Sequence, residues 1–99
     1  MPAYNDITSD LKDAMKAQET LKRDTLRLLQ SALKNFAIEK KSPVEELSQD
    51  DVESVIRRLV KQRKDSVEQY RAGNREDLAA NEEAESAILE AYLPAAMPE

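Results

Sequence analysis

Apolar residues recur along this chain every three to four positions, and the recurrence is broken at three places by turn-forming residues. That spacing places them on one side of an α-helix. Four helices follow. The first is expected from about Asp6 to Ala17, with Ile7, Leu11, Ala14 and Met15 on one side. The second, from about Glu19 to Lys41, carries Leu21, Leu26, Leu28, Leu29, Ala32, Leu33 and Phe36. That set covers about half of a helical wheel, wider than one packing contact needs. The second helix is therefore expected to be central and touched on two sides.

Ser42-Pro43 interrupts the second helix, because proline lacks the amide hydrogen a helix interior requires. The third helix is expected to start at Ser48, with Asp51 three residues on as an imperfect capping box. Its stripe is Val52, Val55, Ile56, Leu59, Val60, Val67 and Tyr70. Gly73, the only glycine, is expected to end it in the left-handed conformation, leaving Asn74 and Asp77 to cap the fourth helix. The fourth runs from about Arg75 to Leu93 with a thin stripe of Leu78, Ile88, Leu89 and Tyr92, and Pro94 stops it. Short connections between long helices make antiparallel neighbours. The expected fold is an all-α antiparallel bundle of about four helices, with the second and third as its central hairpin.

Two charged residues fall where the pattern calls for apolar ones. Arg63 lies midway between Leu59 and Val67, and Glu85 lies seven residues from both Leu78 and Tyr92, with Glu82 beside it. An unpaired buried charge is expensive, so Arg63 is expected to meet Glu85 or Glu82 across the third and fourth helices. The plainer role for such a pair is to fix helix register; a recognition role is the alternative.

Composition narrows the chemistry. The chain has 99 residues, enough for one domain with a modest core. It contains no Cys and no His. Disulfides, thiolate chemistry and imidazole bases are thereby excluded, and most zinc sites with them. A single Gly rules out a glycine-rich phosphate loop. No apolar run approaches membrane-spanning length and no signal peptide is evident, so no membrane role is expected and the cytoplasm is the default compartment.

The net charge of -5 is unevenly distributed. Residues 22–41 and 57–73 each carry six Lys or Arg against two acids, while 42–56 and 74–99 are strongly acidic. On the second helix Arg23, Arg27 and Lys34 point away from the apolar stripe, and on the third Arg57, Lys61 and Lys64 do so, with Arg58 adjacent. If these helices lie side by side, the rows share a surface suited to phosphates. The plainer reading is a solvated face with pairs such as Lys61–Asp65 and Lys64–Glu68. No aromatic residue is interleaved, so stacking on single-stranded bases is not supported. Glu82, Glu83 and Glu85, or Asp50, Asp51 and Glu53, offer oxygen ligands for Mg²⁺, but acids in a first helical turn already favour the helix dipole. Ser31 with Lys34 is an ordinary helix-surface pair. No catalytic residue, metal ligand or cofactor site is identifiable.

Three segments carry a resemblance: DLKDAMKAQETLKRDTLRLLQSALKNFAIEK at 10–40, KQRKDSVEQYRAGNREDL at 61–78, and ESAILEAYLP at 85–94. Together they resemble the amino-terminal part of the YqeY family over essentially the whole chain. The resemblance implies a helical amino-terminal domain at 1–99 and a second, smaller helical domain, similar to the tail of the B subunit of glutamine-dependent tRNA amidotransferase. The chain stops at Glu99, where that second domain is expected to begin. The resemblance also implies a link to tRNA, to amidotransferase or synthetase subunits as partners, and the family label of carbon–nitrogen ligase with glutamine as amido-N-donor. The matching positions, Arg63, Tyr70, Gly73, Asp77, Leu78, Glu85, Tyr92 and Pro94, read as structural. The expected function is a non-catalytic accessory module of tRNA-dependent amidation or translation. The alternative is a helical protein-binding module with an apolar patch near Leu26, Leu33 or Ala95 to Met97.

Overall fold

A computed structural model describes residues 3–93. Its elements are α1 (Tyr4–Lys16), α2 (Thr20–Lys40), a 3₁₀ turn (Val44–Glu46), α3 (Gln49–Ala72) and α4 (Glu76–Glu90), and no strand occurs among the described residues. The expected all-α bundle is what the chain forms.

Helix starts follow local chemistry. Asp51 N–H donates to Ser48 Oγ at 3.0 Å and Ser48 N–H donates to Asp51 Oδ2 at 3.3 Å, so the capping box at α3 is complete rather than imperfect. Lys40 Nζ contacts the same carboxylate and ties the end of α2 to the start of α3. At α1 the acid alone acts, as Ala3 N–H donates to Asp6 Oδ2 at 3.2 Å.

Helix ends share one device. After α1, α2 and α3 the chain passes through a left-handed residue, Gln18, Lys41 and Asn74 respectively. Each time the left-handed residue's amide bonds three residues back and the next amide bonds five back. The pairs are Gln18 to Met15 and Glu19 to Ala14, Lys41 to Ile38 and Ser42 to Ala37, and Asn74 to Arg71 and Arg75 to Tyr70. These are Schellman closures. The glycine expectation is corrected here. Gly73 sits at φ -94 and Asn74 takes the left-handed position, so Asn74 caps nothing and Arg75 becomes the N-cap of α4. Asn tolerates this conformation because its short polar side chain can bond locally. α4 ends at Glu90, well before Pro94, which lies outside the described residues.

The pairing of helices differs from the expected central hairpin. α1 folds back along α2 across Ala17–Glu19, and α4 folds back along α3 across Gly73–Arg75, while α2 and α3 meet sparsely. Loop length decides this. The two tight Schellman turns reverse the chain at once, whereas residues 41–48 with their 3₁₀ turn hold α2 and α3 apart. α2 also touches α4 and the 3₁₀ turn, so its central position and wide apolar set agree. One core joins both hairpins, built on Ile7, Leu26, Leu29, Leu33, Val52, Val55, Ile56 and Leu89. Fully burying one such side chain contributes about 1.5–3 kcal/mol. Met15 and Leu28, counted among the apolar stripes, are instead 46% and 41% exposed.

In α4 the buried positions are Ala79, Ser86 and Leu89. Leu78 and Ile88 are only half-buried. Small residues occupy the core side, which a count of large apolar residues misses. Glu85 consequently stands at the edge of the stripe, not its centre.

Candidate nucleic-acid interface

The seven candidate cations separate into two groups. Arg23, Arg57 and Lys64 have acidic partners: Asp24 at 3.1 Å, Glu53 at 3.3 Å and Glu90 at 3.3 Å. Lys64 thus reaches across to α4 rather than along α3 to Glu68. Arg27, Lys34, Arg58 and Lys61 are exposed and have no ion-pair partner among the described residues. The two rows belong to different hairpins, Arg27 and Lys34 on α2, Arg58 and Lys61 on α3.

Arg63 Nε donates to Glu85 Oε1 at 3.2 Å, with the two side chains only 13% and 20% exposed. Arg63 also donates to the Leu59 carbonyl, and Asn81 Nδ2 donates to the other Glu85 oxygen at 3.4 Å. Glu82 takes no part in an ion pair among the described residues. The guanidinium stem completes the apolar side of α3 while its head meets α4, the usual way a long charged chain sits at a core edge.

Arg71 was not singled out by the sequence. Its Nε donates to both Glu76 oxygens at 2.8 and 3.1 Å, and its Nη2 donates to Glu83 at 2.8 Å. The Glu76 carboxylate, then Glu83, raise its already high pKa further. The signal was present in the sequence as a base five residues before an acid across a helix break.

Four of the six acids weighed for Mg²⁺ are held by the protein's own side chains, while Glu82 and Asp50 have no ion-pair partner among the described residues. Glu83 and Glu85 are held as above, Asp51 is held by Lys40, and buried Glu53 accepts from Gln49 and Arg57. No group of three His, Cys, Asp or Glu that could hold a metal ion occurs among the described residues. Tyr92 donates to Asp10 at 2.5 Å, linking the turn after α4 to α1. Burial first, then that carboxylate, push the phenol above its ordinary range, so it remains protonated at physiological pH. Tyr4, Phe36, Tyr70 and Tyr92 are all half-buried, which leaves no fully exposed ring for base stacking among the described residues.

The apolar patch expected near Leu26 and Leu33 is absent, since both are fully buried at 0% exposure. Ala95 to Met97 lie outside the described residues. Ile38, on the outer side of α2, is the most exposed large apolar residue described, at 73%. A shallow groove of about 120 Å³ lies at the α1–α2 turn, lined by Ala14, Met15, Gln18, Glu19, Thr20 and Arg23. No described helix is long and apolar enough to cross a membrane.

Fold and surface define a class: a small helical bundle that turns charge outward, with ion pairs tying its last two helices together. Comparison with known families makes this specific. The profile of YqeY, described as Yqey-like protein, matches residues 4–99, and the chain belongs to that family. Curated relatives agree. Altered inheritance of mitochondria protein 41, mitochondrial, from Vanderwaltozyma polyspora is 38% identical over 96 residues, covering 94% of this chain and 51% of the relative. The protein of that name from Saccharomyces cerevisiae is 39% identical over 98 residues, covering 93% and 51%. The one from Lachancea thermotolerans is 37% identical over 87 residues, covering 88% and 46%. The chain therefore spans about half the length of these relatives. Their names overturn the default cytoplasmic expectation, because they are mitochondrial proteins by designation. Hydropathy says where a chain cannot insert, not which compartment holds it.

Proposed function

We propose that this chain is a non-catalytic accessory module of tRNA-dependent amidation or translation that grips RNA through its phosphates. The observation that carries this reading is the set of four exposed cations, Arg27, Lys34, Arg58 and Lys61, without ion-pair partners among the described residues. These four meet a phosphate with no ion pair to break first. With no exposed aromatic ring beside them, the contact is electrostatic, independent of sequence and sensitive to salt. The family label of carbon–nitrogen ligase with glutamine as amido-N-donor is here taken to describe the process served rather than chemistry on this chain.

The test is binding to bulk tRNA, with mitochondrial tRNA beside it because of the relatives' designation, across a salt series. The logarithm of affinity should fall linearly with the logarithm of salt. The variant Arg27→Gln/Lys34→Gln/Arg58→Gln/Lys61→Gln should lose up to about four units of that slope. An affinity that stays flat across salt overturns the reading. Glutamine-dependent ammonia transfer by the purified chain would overturn its non-catalytic part.

A protein-binding module, with an amidotransferase or synthetase subunit as partner, is the second reading. It is favoured by Ile38, an exposed aliphatic side chain one turn beyond Lys34. Ile38→Glu should abolish such a complex and leave tRNA affinity nearly unchanged.

A further inference from the structure

α3 carries more cations than the four that lack partners. Lys61, Lys64 and Arg71 recur at three- and seven-residue steps, so they lie along one stripe about 15 Å long. Lys61 has no ion-pair partner among the described residues. Lys64 meets Glu90 at 3.3 Å, and Arg71 meets Glu76 and Glu83, both at 2.8 Å. All three acids belong to α4, the adjoining arm of the same hairpin, except that none of them is buried: Glu76, Glu83 and Glu90 are exposed, as are Lys64 and Arg71. Arg71 is oriented with its fork on two separate carboxylates, an arrangement that also suits phosphate oxygens. Exposed ion pairs of this kind are weak, so an arriving polyanion displaces them at small cost.

We propose that Lys64 and Arg71, in line with the open Lys61, form a second anion-binding row, in which α4 covers those two with its own carboxylates and which a phosphate backbone reaches by displacing Glu76, Glu83 and Glu90. α4 then serves two ends: it packs Ala79, Ser86 and Leu89 into the core and holds Lys64 and Arg71 of the α3 row on its own carboxylates. Open in the resting protein are Arg27 and Lys34 on α2 and Arg58 and Lys61 on α3. The identity of the ligand as RNA rests on the reading above; the covering of the row by α4 does not.

Two polyanions therefore serve as probes, heparin and tRNA. The variant Glu76→Gln/Glu83→Gln/Glu90→Gln is compared with Glu39→Gln/Glu45→Gln/Glu46→Gln, which changes net charge equally at exposed acids without ion-pair partners among the described residues. Helical circular dichroism establishes that both remain folded. The α4 variant should elute from heparin at higher salt than the control, and its salt slope on tRNA should steepen by about two, one for each uncovered base. Adding Lys64→Gln/Arg71→Gln should cancel the gain. Equal retention of the two triple variants on heparin overturns the inference, as does a gain that survives loss of Lys64 and Arg71. Absence of tRNA binding in every variant, with the heparin difference intact, overturns the RNA reading alone.

Discussion

The two hairpins reverse the chain with the same Schellman turn yet hold their arms together by different means. Between α1 and α2 the described polar contact is a single hydrogen bond, Gln30 Nε2 to Thr8 Oγ1 at 3.1 Å, and the remainder is apolar, with Ile7, Leu11 and Ala14 buried on α1. Between α3 and α4 there are ion pairs at both ends and at the centre: Arg71 with Glu76 and Glu83, Arg63 with Glu85, Lys64 with Glu90. The difference follows from what α4 has to offer. Its buried set is Ala79, Ser86 and Leu89, only one of them large. Burial energy scales with apolar area, so a helix with a thin stripe docks weakly unless other contacts position it. The first hairpin should therefore respond to cavities, and the second to charge.

The largest effect should come from the shared core. Leu29→Ala leaves a hole at a fully buried site and should cost about 2–5 kcal/mol in urea unfolding. A loss below about 1 kcal/mol would mean that α2 is not the central helix. Next is the half-buried pair. Arg63→Ala strands Glu85 and should cost about 1.5–3 kcal/mol. Arg63→Met with Glu85→Leu should recover most of it, since an apolar pair of similar volume can replace a buried ion pair. If the double variant is no more stable than Arg63→Ala, the pair does more than set register.

Smaller effects test the turns. Gln18→Gly and Lys41→Gly should each stabilise by up to about 1 kcal/mol, because glycine enters the left-handed region without the penalty of a Cβ. Gly73→Ala should also stabilise by about 0.5–1 kcal/mol, as a Cβ there meets only Gln69 and Tyr70 carbonyls at 3.6 and 3.8 Å. Had Gly73 been the left-handed residue, the same substitution would destabilise, so its sign in a melting experiment separates the two geometries.

The pH response should be the most modest. Lys40 beside it, and the backbone and hydroxyl of Ser48, hold the Asp51 carboxyl below its ordinary value of 3.8. A depressed carboxyl favours the folded state above the ordinary value and loses that contribution as pH falls through the folded one. Stability should accordingly decline below about pH 4, and Asp51→Asn should flatten that part of the profile. An unchanged profile would leave the α2–α3 junction without its ionic clamp.

Much of this was readable in advance because it depends on near neighbours. Ser48 and Asp51 are three residues apart, and nothing distant is required for their capping box. Arg63 and Glu85 stood out because each charge interrupted an otherwise apolar period, and desolvation leaves such charges one cheap remedy. The candidate cations were found by the same reasoning, but their partners were not. Lys64 takes Glu90 instead of Glu68, because once α4 folds back along α3 a carboxylate from another helix competes with one from its own. Arg71 went unnoticed because its value depends on the turn bringing Glu76 and Glu83 around to it.

The order of amino acids settled four helices, the capped start of the third, and a surface of alternating sign, since periodicity and capping act over one or two turns. Which helices are partners, which residue turns left-handed, and which cations are left open emerged only on folding. Those outcomes depend on how tightly each connection reverses and on which side chains then compete for the same neighbour, and both are set by contacts between residues far apart along the chain.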